Sequence, residues 1–339
     1  MKKRLDRRQF SLGSIAAGAT LAAPGIARAA PVKIRCGWVV IPASLAPLVI
    51  AKKDILKHFG QSYIAEATRF EGTPPVITAL ASGELEIGPL AFSSFGLAIQ
   101  NAHMDDLRVI CDEIQDGVAG HGSNQFMVLN DGPVKTVADL KGKVFATNVI
   151  GSAVDIAMRV MCRRSGLEAN RDYTIIEAPF PAMKAMLAEK KADLVSAVPP
   201  FSLDPALNAI AHPLFSQKDA LGITQLTMWT ARTPFIQQNR AALVDFLEDT
   251  IRAIRWYSDP KNHEEAVAIV AQLTKLPPTR VEWAFTGKDQ YRNPNGMPNL
   301  AALQKNLQLQ KDVGFLKEDI DVKKYSDVSM VEEAAKRLA

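Results

Sequence analysis

The chain has three cysteines in 339 residues, Cys36, Cys111 and Cys162, and no C-x-x-C spacing among them. That excludes a disulfide framework and a cysteine-based metal site, and leaves buried free thiols as the expectation. Histidine is also sparse, with five in the chain. His58, His103, His121, His212 and His263 share no metal-ligand spacing, and no G-x-S-x-G nucleophile elbow is present. The Gly-Ser turn after the apolar run in DLKGKVFATNVIGSAVDIAM (139–158) lacks the lysine of a P-loop, so phosphate activation is not expected there. Nowhere is an apolar stretch long enough for the roughly 20 residues that cross a bilayer.

Excess charge is also lacking once the first residues are set aside. MKKRLDRRQF is basic, Ile15 to Ala23 is apolar and small, and Ala27-Arg28-Ala29 fits a small-x-small cleavage site. DRRQFSL resembles a twin-arginine export signal, with Arg7 and Arg8 as the pair, Phe10 two residues on, and Ser11 where such signals usually carry leucine. This segment, residues 1–29, carries six bases and one acid. Without it the 40 bases and 36 acids fall to 34 and 35. A balance of −1 gives no electrostatic footprint for nucleic acid. A soluble periplasmic protein, cleaved after about Ala29, is the expectation.

What is present is alternation. VKIRCGWVVI (32–41), SYIAEATRF (62–70), ELEIGPLAF (84–92), DLRVICDEI (106–114), NQFMVLN (124–130), VFATNV (144–149), YTIIEAP (173–179), ADLVSAV (192–198) and GITQLTMWTAR (222–232) read as strands. Helical patterns lie at 44–60, 72–83, 152–164 and 181–190, and later at 239–258, 262–274, 278–286 and 299–314. Strands alternating with helices argue for an α/β architecture with mostly parallel sheets. About 310 residues suffice for two lobes. An internal echo supports this: LASGELEI (80–87) and LAEKKADL (187–194) share the same helix end, four-residue connection and acid–aliphatic strand start. The expected division is 30–122 with 225–339 as one lobe and 123–224 as the other, joined by two crossovers.

Together, LVIAKKDILKHFG, ALASGELEIG, DLKGKVFATNVIGSAVDIAMRVM, MKAMLAEKKADLVSA and NRAALVDFLEDTIRAIRWYSDP resemble, in that order, the solute-binding proteins of ABC importers in the nitrate/sulfonate/taurine class. The resemblance spans nearly all of the chain after the export segment. It implies a type II periplasmic clamshell, a small ligand held between lobes, transient docking on a membrane permease, a monomer, no cofactor and no catalysis. The cysteine-rich motif of related pyrimidine-forming proteins is missing. An enzyme on the same fold (pyrimidine-forming or dehydratase type) and a periplasmic sensor subunit remain alternatives.

In open α/β sheets, ligands bind beyond the carboxyl ends of strands. The candidates there are Trp38 in WVVIPAS, Thr73 as a helix cap, Phe92, Ser93 and Ser94 as a loop, Asn148, Gly151 and Ser152 in the Gly-Ser turn, and Pro200 opposite the serine loop. Trp229 is a candidate wall residue. Gly151 lets the backbone approach and Ser152 adds a hydroxyl at a helix N-terminus. Without a lysine or metal ligand, that turn would hold a pre-formed anion such as a sulfonate, nitrate or carboxylate. Each hydroxyl and tryptophan also has a purely structural role open to it, as cap or core. Arg35 and Arg232 are possible countercharges, and His121 a possible ligand contact in a glycine-rich turn.

Overall fold

The computed structural model describes residues 30–339. The proposed export segment lies outside them. In chain order come β1 (Val32–Trp38), α1 (Leu45–Ala51), β2 (Tyr63–Arg69), α2 (Pro74–Ala81), β3 (Gly88–Ala91), α3 (Phe92–Gln100) and β4 (Leu107–Asp116). Next are β5 (Gln125–Leu129), β6 (Val144–Thr147), α4 (Ala153–Arg164), β7 (Thr174–Glu177), α5 (Met183–Ala188), β8 (Leu194–Ala197), α6 (Pro205–Asn208), β9 (Ala211–Ser216) and α7 (Gln217–Leu221). The chain closes with β10 (Thr224–Arg232), α8 (Thr233–Ser258), α9 (His263–Thr274), α10 (Leu300–Asp312) and α11 (Ser329–Lys336).

Strands β7-β6-β8-β5-β9 form one sheet; β3-β10-β4 form a second. The parallel pair β1-β2 joins the second through a bridge between Cys36 and Ile87. The sheets are mixed. β1-β2, β6-β7 and β6-β8 are parallel, whereas every antiparallel pairing involves β5 or β10. These are the strands that follow the chain's two passages between the sheets, so parallel order holds only within the βαβ units.

The repeated sequence pattern has a repeated geometry. Gly83 (φ 74°) and Lys190 (φ 56°) both take the left-handed conformation. The amides of Glu84 and Leu85 bond Ala79 O, and those of Lys191 and Ala192 bond Met186 O. The following acids, Glu86 and Asp193, accept the backbone N–H of Arg35 and Val144. One turn design thus opens a strand in each sheet.

Packing around β10 shows how the interior is held. Trp229, fully buried, stacks on Phe246 of α8 with centroids 5.1 Å apart, and Tyr63 meets Phe246 edge-on at 5.1 Å. Asp249, one turn along α8, accepts the amides of Lys57 and His58 and the hydroxyl of Tyr63. Aromatic burial of this kind contributes about 1.5–3 kcal/mol per side chain.

Four local expectations need correction. The helix expected over 44–60 stops at Ala51 and is followed by a 3-10 turn. The segment 278–286 is a short 3-10 turn, Pro278–Arg280, because two prolines start it and Val281 leaves helical geometry. Phe92, Ser93 and Ser94 open α3; they are not a loop. Thr73 precedes α2 in helical conformation and makes no side-chain cap bond, because its hydroxyl is paired with Ser94 Oγ at 2.7 Å.

Candidate functional site

A cleft with about 610 Å³ of empty space, its mouth included, lies where turns from both sheets converge. The β1–α1 turn brings Val39, Val40 and Ser44; the β2–α2 turn brings Gly72 and Thr73; β4 and β10 bring Glu113, Leu226 and Thr227. From the other sheet come Asn148, Ser152, Ala153, Val154, Phe180, Val198 and Pro199. The two sides also touch directly. Asn148 Nδ2 donates to Glu71 O at 3.2 Å, and a Cβ built on Gly72 would stand 2.8 Å from that same nitrogen.

Thr73, Asn148 and Ser152 are therefore brought together. Trp38 and Pro200 line an adjoining pocket that shares Val39, Val40 and Phe180 with the cleft. Phe92, Ser93, Ser94, Gly151 and Trp229 line neither. Ser93 and Ser94 are fully buried in α3, and Trp229 is a core residue whose indole N–H donates to Glu113 Oε1 at 3.2 Å. Arg35 is paired with Glu86, Arg232 with Asp106, and His121 stands edge-on to Tyr291; none of the three lines the cleft.

The Gly-Ser turn is only partly open to an anion. Gly151 (φ 81°) needs the conformation that glycine tolerates. Its N–H is taken by Asp155 Oδ2 at 2.8 Å, however, and that of Ile150 by Glu177 at 2.5 Å. Ser152 caps α4 by accepting the Asp155 N–H. Among the described residues, the first-turn amides of Ala153 and Val154 meet no acceptor, and Asn148 Oδ1 is buried without a donor. Among the described residues no lysine, arginine or histidine lines the cleft. An anion there would rest on main-chain amides and hydroxyls alone.

Sequence reasoning missed Glu113, the one ionisable side chain on the cleft wall among the described residues. It lies in β4 with Asp112 and Asp116, all at most 1% exposed. Three acids inside a run that otherwise demands burial were the available signal. Asp116 accepts from Ser123 Oγ, the Asn124 N–H and Gln290 Nε2, and Asn124 Nδ2 donates to Gln217 Oε1. This polar cluster sits where the chain leaves β4 and where it returns through α7. Burial pushes the carboxyls of Asp112 and Asp116 up to about 6 and that of Glu113 up to about 7.

These shifts fix a sign. Between about pH 4 and pH 7 the folded chain holds protons on these acids that the unfolded chain has released. Their contribution therefore falls as pH rises through that window. Exposed acids held low by partners, such as Asp139 and Asp172, act oppositely and only below the usual carboxylate range. The melting temperature is expected to be highest near pH 5 and to decline toward pH 8. Scanning calorimetry that finds it climbing over that interval contradicts the assignment.

The three cysteines are buried, and burial raises every thiol above its ordinary value; none lines the cleft. His58, Asp245 and Glu248 do converge elsewhere, with His58 Nε2 3.0 Å from Glu248. Arg252 and Arg337 already pair with those carboxylates, which offsets the charge a cation would require.

No helix among the described residues is long and apolar enough to cross a membrane. No curated protein matches the chain in sequence. Among solved structures it is similar to the alkanesulfonate-binding protein SsuA from Xanthomonas axonopodis pv. citri bound to MOPS, at 20% identity, TM-score 0.70, over 88% of this chain and 99% of that one. It is similar also to the periplasmic nitrate-binding protein NrtA from Synechocystis PCC 6803, at 17% identity, TM-score 0.69, over 91% and 89%. The desulfurization enzyme DszB shares the fold at 13% identity, TM-score 0.64, over 91% and 100%. The fold is thus that of the two-lobed periplasmic binding proteins. The model of the NMT1-like family matches residues 27–271, most of the chain, and the protein belongs to that family.

Proposed function

We propose that the chain is an exported solute-binding protein that captures a small organic molecule between two lobes and delivers it to an ABC permease in the inner membrane. The observation that carries this reading is the cleft walled by turns from both sheets, with Asn148 Oδ1 left unpaired inside it. Residues 30–122 with 225–339 form one lobe and 123–224 the other. They hinge at the two passages beside Asp116 and Asn124. A ligand touching both lobes stabilises the closed arrangement, because its contacts exist only there.

The ligand is a sulfonate, taurine or carboxylate type of molecule, its acceptor oxygens on the amides of Ala153 and Val154 and the hydroxyl of Ser152, its organic part against Val39, Phe180 and Leu226. The sulfonate- and nitrate-binding proteins of the same fold support this class. Main-chain bonds to a charged acceptor of about 1.5–3 kcal/mol each make several of them enough for micromolar capture. Catalysis is not part of the reading. Among the described residues that line the cleft, none is a histidine, lysine or cysteine.

A thermal-shift screen of the chain without residues 1–29 tests this against alkyl and aryl sulfonates, taurine, nitrate and aromatic carboxylates. A true ligand raises the melting temperature with concentration and is recovered unchanged. Conversion of the bound molecule to product, or no shift with any member of the panel, overturns it.

A further inference from the structure

From the pocket that adjoins the cleft we infer that the natural ligand is an elongated aryl sulfonate or aryl carboxylate, its head and first ring in the cleft and a second planar apolar group among Trp38, Phe180, Phe201 and Leu276. The inference rests on the solute-capture reading above and concerns the space beyond Phe180, not the turn before α4.

The adjoining pocket holds about 1170 Å³ of empty space, its open mouth included. Val39, Val40 and Phe180 line both it and the cleft, so the two spaces are contiguous along these side chains. Like the cleft, it is built from both sheets. Trp38 comes from the end of β1 and Leu276 from the turn after α9; Phe180 and Phe201 come from the turns after β7 and β8. The rings of Phe180 and Phe201 lie 20° from parallel with centroids 6.3 Å apart. Trp38, Phe201 and Leu276 are only half-buried. Apolar side chains that line a hollow hold water against themselves, and a ligand group that displaces it gains by the hydrophobic effect. Rings on the wall favour a planar group, which they can meet face-on or edge-on.

The pocket's charged residues do not alter that character. Arg69, Glu71 and Lys275 are exposed, and Arg69 is already bound to Glu71 by two bonds of 2.9 and 3.2 Å. Nitrate and taurine bring no ring to this wall. A molecule with a second ring fills both spaces and touches both sheets twice, once at each space, so its size adds to the contacts that exist only when the two sides are together.

Probes matched in head group and differing in length separate this inference from the broader reading. Calorimetric titration of the chain without residues 1–29 would compare benzenesulfonate with 4-phenylbenzenesulfonate, and benzoate with 4-phenylbenzoate. In each pair the longer member is expected to bind about tenfold or more tightly, from the added apolar area removed from water. Phe201→Ala and Leu276→Ala, each altering a residue of the adjoining pocket that the cleft does not share, should each cut that preference to about threefold or less. The preference is a ratio, so a variant that merely loosens the fold weakens both members and leaves it unchanged. A preference that persists in both variants puts the second ring elsewhere and overturns the inference. If the members of each pair bind equally, solute capture stands and the inference fails. If no member of either pair binds, the inference falls together with the aryl-anion class of ligand.

Discussion

Gly72→Leu is expected to abolish ligand capture while leaving the unliganded fold intact. The affinity for the ligand that the thermal-shift panel identifies should fall at least 100-fold, equivalent to about 2.8 kcal/mol. A Cβ at residue 72 would lie 2.8 Å from Asn148 Nδ2 and 2.9 Å from Val149 Cγ2, closer than side chains pack. The obstacle is not backbone conformation, because Gly72 is not in the left-handed region. The leucine therefore acts as a wedge between the β2–α2 turn and the β6–α4 turn, breaking the Asn148–Glu71 bond. Small-angle scattering should report a larger radius of gyration for the variant at saturating ligand. Unchanged affinity would show that the approach of these two turns is not what holds the solute.

Trp229→Ala is expected to cost about 3–5 kcal/mol of stability, the range for removing a large aromatic from a packed interior. The indole is fully buried and stacked on Phe246, and its N–H donates to Glu113. Losing it leaves a cavity beside β10 and takes one donor from a buried carboxyl. Trp229→Phe keeps much of the ring contact and removes only the N–H, so its cost should be smaller by half or more. Urea denaturation of the three proteins checks this. A loss below about 1 kcal/mol for the alanine variant would mean the surroundings collapse to fill the space.

Much of the architecture could be read from local chemistry. The strand–helix alternation, the Ser152 cap and the duplicated turn at Gly83 and Lys190 all rest on short-range pattern, and all appear in the structure. What stayed hidden depended on distant packing. α3 begins at Phe92 with no side-chain cap, contains Gly96, and reads poorly as a helix. A Cβ at Gly96 would meet Gln310 Oε1 at 2.8 Å and Leu307 and Leu316 at 3.0 Å. Glycine is there to let α10 approach, and tertiary contact overrides the propensity. β9 and α7 escaped because AHPLFS is short and interrupted by Pro213.

The candidate site divides along the same line. Thr73, Asn148 and Ser152 could be placed at turn positions that topology sends to one end of the sheets. The competition for the amides of Ile150 and Gly151 could not be foreseen, because it comes from Glu177, at the end of β7, and from Asp155, inside the first turn of α4. Glu113 was concealed by its own strand. Alternation marks a buried face without revealing which buried position borders empty space.

The sealed thiols of Cys36, Cys111 and Cys162 have a practical corollary. Maleimide dyes would find no native target in the folded protein, so the chain is already a silent background for site-directed labelling. A cysteine introduced at exposed Ile150 and another at exposed Ile64 would carry a fluorescent donor and acceptor, and the proposed closure of the lobes could be followed one molecule at a time.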